Sequence, residues 1–123
     1  MRTKLVPFTE WRGTLDDLSR SFSGALVSLE VVGGEVGAEE EVCNQPLRGI
    51  TSDRSGVTVQ IEKLGGLHLN RRIAHPKTLR IVESSEGALI AVEIEDSGGV
   101  QNLVRFLSPA RPEARSRRPP AAV

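Results

Sequence analysis

The chain predicts a mainly β fold, α+β by strict count: an N-terminal helix followed by a small antiparallel barrel or strongly bent sheet. Three observations lead there. From Gly24 to Leu107 apolar and polar residues alternate with a period near two, the signature of half-buried strands. Turn residues, many of them paired glycines, recur at roughly the 8–12-residue spacing of a sandwich or barrel. Ahead of this region, one stretch spaces its apolar residues at helical intervals instead.

Met1 to Phe8 reads as a short lead. Thr9 is placed to cap a helix starting near Glu10, and Thr14 with Asp17 offers a second capping box after Gly13. Trp11, Leu15, Leu18 and Phe22 fall on one helical face. That stripe is expected to pack on the sheet. Its alternative role is a partner-binding helix anchored by Trp11. Gly24 suits the position after the helix, where positive φ costs glycine little.

Ala25 to Val32 is the first strand, ending at Gly33-Gly34. Val36 to Val42 is a second, weaker strand containing Glu39-Glu40-Glu41. Pro46 breaks the chain, and Leu47 to Thr51 forms a short third. Asp53-Arg54-Ser55-Gly56 is a tight turn by composition. Val57, Val59 and Ile61 then alternate cleanly with Thr58, Gln60 and Glu62. After Gly65-Gly66, Leu67 to Ile73 is a polar strand with Leu67, Leu69 and Ile73 on one face. Pro76 precedes a strand over Thr78–Glu83. In the next strand Ala88, Ile90, Val92 and Ile94 share the core face, and Val100 to Leu107 closes the sheet. No connection is long enough for a crossover helix, so the pairing is expected to be antiparallel.

The domain organisation follows: a lead over 1–8, a helix plus β-domain over 9–107, and a disordered Pro/Arg tail over 108–123. The tail holds four of the seven prolines, and four arginines against one glutamate. Its charge of +3 offsets −3 on residues 1–107, so the body lacks the field of a non-specific nucleic-acid binder. Only 3% of residues are aromatic and none is Tyr, so the core must be Val, Ile and Leu. Cys43 is the only cysteine, which excludes an intramolecular disulfide. No signal-peptide h-region and no apolar run near the ~20 residues of a membrane span is present. A soluble cytoplasmic protein with no membrane association is expected.

The order of landmarks resembles a bacterial family of small proteins that form a domain of unknown function. The resemblance rests on Trp11 and its helix, Ser28-Leu29-Glu30-Val31, Gly37, Leu47-Arg48-Gly49-Ile50 leading to Asp53, Ile73 with Pro76, and Ala91-Val92-Glu93-Ile94 before the Asp96 to Gly98 turn. It spans roughly residues 9–107. A His-x-Ile-x-x-Pro element is common in that family, and Arg71 stands here where its histidine would be. The resemblance implies no activity. By analogy of fold alone, the helix followed by short antiparallel strands is similar to Sm-like and SH3-like barrels.

The residues able to carry chemistry each have a plainer structural reading. His68 and His75 are about 23 Å apart on an extended strand, too far to share a metal. Cys43 has no basic helper and reads as a small structural thiol. Glu39-Glu40-Glu41 reads as a solvated run that guards a sheet edge. Glu93, Glu95 and Asp96 form a second acidic patch, a weak basis for acid/base chemistry without a cleft. The glycine pairs are hairpin turns, since none opens a helix or precedes Gly-Lys-Ser/Thr. Arg71-Arg72 with Lys77 and Arg80 is the main basic cluster. Alternation puts His68, Asn70 and Arg72 on one face, the candidate recognition strip.

The expected function is a non-enzymatic binding or scaffold module for an unknown protein partner. Homo-oligomers by edge pairing are expected, and no cofactor, metal or catalytic residue. The alternative is an Sm-like nucleic-acid binder, which the lack of interleaved aromatics disfavours. A small enzyme using acidic residues stands third.

Overall fold

The computed structural model describes residues 1–34 and 37–110. Strand β1 (Arg2–Leu5) leads through a 3-10 turn at Phe8–Glu10 into helix α1 (Trp11–Phe22). Seven strands follow: β2 (Leu26–Gly33), β3 (Gly37–Asp53), β4 (Gly56–Glu62), β5 (His68–Ala74), β6 (Pro76–Glu83), β7 (Leu89–Asp96) and β8 (Gln101–Ala110). They form one antiparallel sheet in the order β1-β6-β7-β8-β2-β3-β4-β5.

The expected barrel or strongly bent sheet is not what forms. The sheet is open, neither closed nor strongly curled, with β1 and β5 at its ends. Two local features explain this. His75 alone separates β5 from β6, so β5 cannot fold back to pair with β6. The edge of β6 that closure would need is taken by β1, paired from Arg2↔Glu83 to Leu5↔Arg80. The stretch read as a short lead thus supplies an edge strand.

Two further departures have clear causes. The second and third expected strands are one 17-residue strand, β3. Pro46 does not break it, because the strand changes partner there: the β2 ladder ends at Leu26↔Pro46 and the β4 ladder begins at Leu47↔Ile61. A residue without an N–H is tolerated at such a changeover. Asn44 makes the bend with φ 58°, a conformation Asn tolerates better than most residues. In β7 the ladders to β6 and β8 both skip Ile90, an extra residue that flips the alternation. Leu89 therefore joins the core in place of Ile90.

Helix α1 begins without the expected Thr9 cap; its N-cap is Glu10, which makes no side-chain capping bond. The start is pinned by Val6 instead. Its N–H donates to Leu79 O at 2.9 Å, and its carbonyl accepts the buried Trp11 Nε1–H at 2.8 Å. Gly24 takes φ 90°, as its position predicts. The helix lies chiefly over β3, where its apolar stripe enters a single core with Val27, Leu29, Ile50, Val59, Ile73, Val92 and Val104. Strand β8 runs on to Ala110, and the rest of the expected disordered tail, 111–123, lies outside the described residues.

Candidate functional site

The four residues of the expected partner helix, Trp11, Leu15, Leu18 and Phe22, are all buried against the protein's own sheet. They hold the fold rather than stand free on the helix's outer face. Ser19, one residue beyond Leu18, has a role the sequence did not signal. Its Oγ donates to Ile50 O at 2.9 Å and accepts the Ile50 N–H at 2.8 Å. Beyond Pro46, β3 has β4 on one side but no longer β2 on the other. Ser19 satisfies Ile50 on that exposed side, so the helix covers a strand edge with a side chain. Gly49 permits the approach, since a Cβ there would stand 3.3 Å from Ser19 Oγ.

His68, Asn70 and Arg72 do share the exposed face of β5. Opposite them on β4 lie Glu62, Gln60 and Thr58. Arg72 is already engaged. Its Nη1 lies 2.8 Å from Asp53 Oδ2 and its Nη2 3.0 Å from Oδ1, and Nη1 also donates to Thr58 Oγ1 at 3.0 Å. Asp53 Oδ1 in addition accepts the Ser55 and Gly56 N–H groups at 2.8 and 3.0 Å. The hydrogen bond from Arg72, followed by that from the Ser55 backbone, holds the Asp53 carboxyl well below the usual carboxylate range. Gly56 is required in this turn, because a Cβ would sit 2.4 Å from Ile73 O.

The basic cluster read from Arg71, Arg72, Lys77 and Arg80 disperses. Arg71 points to the other face of β5, where its Nε donates to Asn102 Oδ1 on β8 at 3.0 Å. Arg80 lies 3.9 Å from Glu95. The acidic groups are likewise separated by role. Glu39, Glu40 and Glu41 are exposed on the half of β3 that has β2 on one side and, among the described residues, no strand on the other. Asp96 Oδ1 accepts the Gly98 and Val100 N–H groups, which shapes the β7–β8 turn. Cys43 is exposed. Among the described residues no three His, Cys, Asp or Glu side chains come together as a metal site.

One concave feature was not legible in the linear order. The β3–β4 turn, the His75–Pro76 corner and the start of α1 meet around a cleft of about 350 Å³. Phe8, Trp11, Asp53, Arg54 and His75 are among its walls. Phe8 is 72% exposed, and its ring stands edge-on to Trp11 with centroids 5.1 Å apart. His75 is held in the left-handed region at φ 54°, with its carbonyl accepting the Ser97 N–H at 2.9 Å. No two of the three segments are adjacent in sequence, so only the fold assembles them.

These features define a class: a mainly β domain on an open eight-stranded antiparallel sheet, with one helix covering part of its core face. The chain belongs to the family of unknown function DUF5335, whose model matches residues 3–115. An uncharacterized protein of Aquifex aeolicus (strain VF5) is 33% identical over 112 residues, covering 91% of this chain and 97% of its own length. This membership agrees with the resemblance to a bacterial family without an assigned activity. No solved structure matches the chain. Among the described residues no helix is long and apolar enough to cross a membrane.

Proposed function

We propose that the domain is a non-enzymatic binding module that takes an extended segment of another protein along the edge of β5. One observation carries this reading. Strand β5 offers a seven-residue edge with, among the described residues, a ladder on one side only, bearing exposed His68, Asn70 and Arg72. An incoming strand would gain main-chain hydrogen bonds from the edge, and its alternate side chains would meet the polar strip.

The other free edges are less suited. Strand β1 is four residues long and carries Arg2 and Lys4, features that discourage pairing. The free half of β3 carries the three consecutive glutamates. A nucleic-acid surface is less well supported, because Arg71, Arg72 and Arg80 each have a partner within the protein.

Panning the purified domain against a library of displayed extended peptides tests the reading. Selected peptides are expected to slow amide exchange over residues 68–74 and to leave β1 unchanged. Protection confined to other strands, or no enriched peptide from a folded domain, would overturn it.

A further inference from the structure

We infer that the cleft between the β3–β4 turn, the His75–Pro76 corner and the start of α1 binds a small carboxylic acid with a planar apolar body. The inference is independent of the β5 edge. A cleft of about 350 Å³ lies at the lower end of the range that holds small organic ligands.

Its apolar half is aromatic. Phe8 is left 72% exposed, beside the Trp11 ring. The indole N–H is already consumed by Val6 O, so what Trp11 offers the cleft is ring surface rather than a donor. A flat apolar body placed there would cover the exposed Phe8 ring.

The charge in the walls selects the other end of the ligand. Both oxygens of Asp53 are occupied, by Arg72, by the Ser55 and Gly56 N–H groups and by the Ser55 hydroxyl, so its charge is balanced in place. Arg54, next in sequence, makes no ion pair or hydrogen bond among the described residues and also lines the cleft. One uncompensated guanidinium matches one carboxylate through its planar, two-pronged donor geometry. A phosphate, with more charge and more acceptor oxygens, would call for more donors than one arginine supplies. His75, fixed in a strained conformation at the same wall, belongs to the kind of residue that binding sites retain.

Trp11 is the only tryptophan and the chain has no tyrosine, so intrinsic fluorescence reports directly on this cleft. Titration of the full chain with 3-phenylpropionate should change that emission saturably. The uncharged amide of the same acid should bind about tenfold more weakly, as loss of a charge-assisted pair implies. Arg54→Gln should bring the acid down to the level of the amide and leave binding of the amide unchanged. Phe8→Ala should weaken acid and amide alike. Circular dichroism and thermal melting of the variants establish that they are folded, and Arg54→Lys, which retains charge but loses the two-pronged geometry, should bind the acid more weakly than wild type; binding as tight as wild type would overturn the two-pronged pairing. Equal binding of acid and amide, no saturable signal at millimolar acid, an Arg54→Gln variant that binds as wild type, or tighter binding of phenyl phosphate would each overturn the inference.

Discussion

Arg72 on β5 reaches across β4 and closes on Asp53 at the end of β3, with two N–O distances of 2.8 and 3.0 Å. The pair staples three strands at the turn that also forms one wall of the cleft. Because the residues are 19 apart in sequence, the contact exists only once β3, β4 and β5 are in register.

Removing the charge with Asp53→Asn is expected to destabilise the protein at neutral pH and to matter less in acid. The folded state keeps this carboxyl ionised below its ordinary value of 3.8, so the unfolded chain takes up the proton first. The contribution is complete above about pH 5 and is lost as pH falls through the folded-state value. Thermal melts of wild type and Asp53→Asn should therefore converge toward low pH. Both groups are solvent-exposed, so added salt should narrow the neutral-pH gap. A gap that stays constant down to strongly acidic pH would contradict this account.

Ser19→Ala should cost about 1–3 kcal/mol, because it leaves the Ile50 N–H and carbonyl without their side-chain partner. For a chain of this size, each kcal/mol corresponds to a melting shift of roughly 3–5 °C. Amide exchange at Ile50 should rise along with it. A melting point unchanged within a degree or so would show that water replaces Ser19 without penalty.

Asn102 is fully buried, and Arg71 from a distant strand is its side-chain donor. Arg71→Met should destabilise by about 1–3 kcal/mol, since it leaves a buried amide oxygen unsatisfied. Adding Asn102→Leu removes that orphan. The double variant should therefore lose less than the two single variants together, a coupling that a double-mutant cycle in urea measures. Additive losses would mean that the two side chains do not act as a pair.

Leu89 and Ile90 separate the bulged register from simple alternation. Leu89→Ala should cost about 2–5 kcal/mol, as for other buried leucines. Ile90→Thr should cost less than about 1 kcal/mol, because the bulge turns that side chain out of the core. The reverse ranking in denaturant melts would restore the unbulged strand.

Local chemistry in the chain was enough to define the helix stripe, the glycine turns, most of the strands and the polar strip of His68, Asn70 and Arg72. Period, propensity and turn residues act over a few neighbours, so these features are readable in order. The same locality explains the misreadings. Pro46 signals a break, and only the change of partner from β2 to β4 makes it harmless. Ile90 has the right parity for the core, and only the ladders on both sides show that it is skipped. Arg71 and Arg72 look like one basic cluster, yet strand alternation sends one to Asn102 and the other to Asp53.

Closure of the sheet was decided at longer range still. A helix followed by short strands fits a barrel and an open sheet equally well. The outcome turned on β1 taking the free edge of β6 and on the single residue between β5 and β6. The cleft that joins Phe8, Arg54 and His75 belongs to the same level. Its walls come from segments far apart in sequence: the β4–β5 ladder sets Gly56 opposite Ala74, beside His75, and packing of α1 against β3 adds the start of the helix. Sequence by itself determined most of the elements and most of their faces, because those depend on neighbours along the chain. Tertiary structure alone decided which edges stay open and which charges remain unpaired, because those depend on neighbours in space.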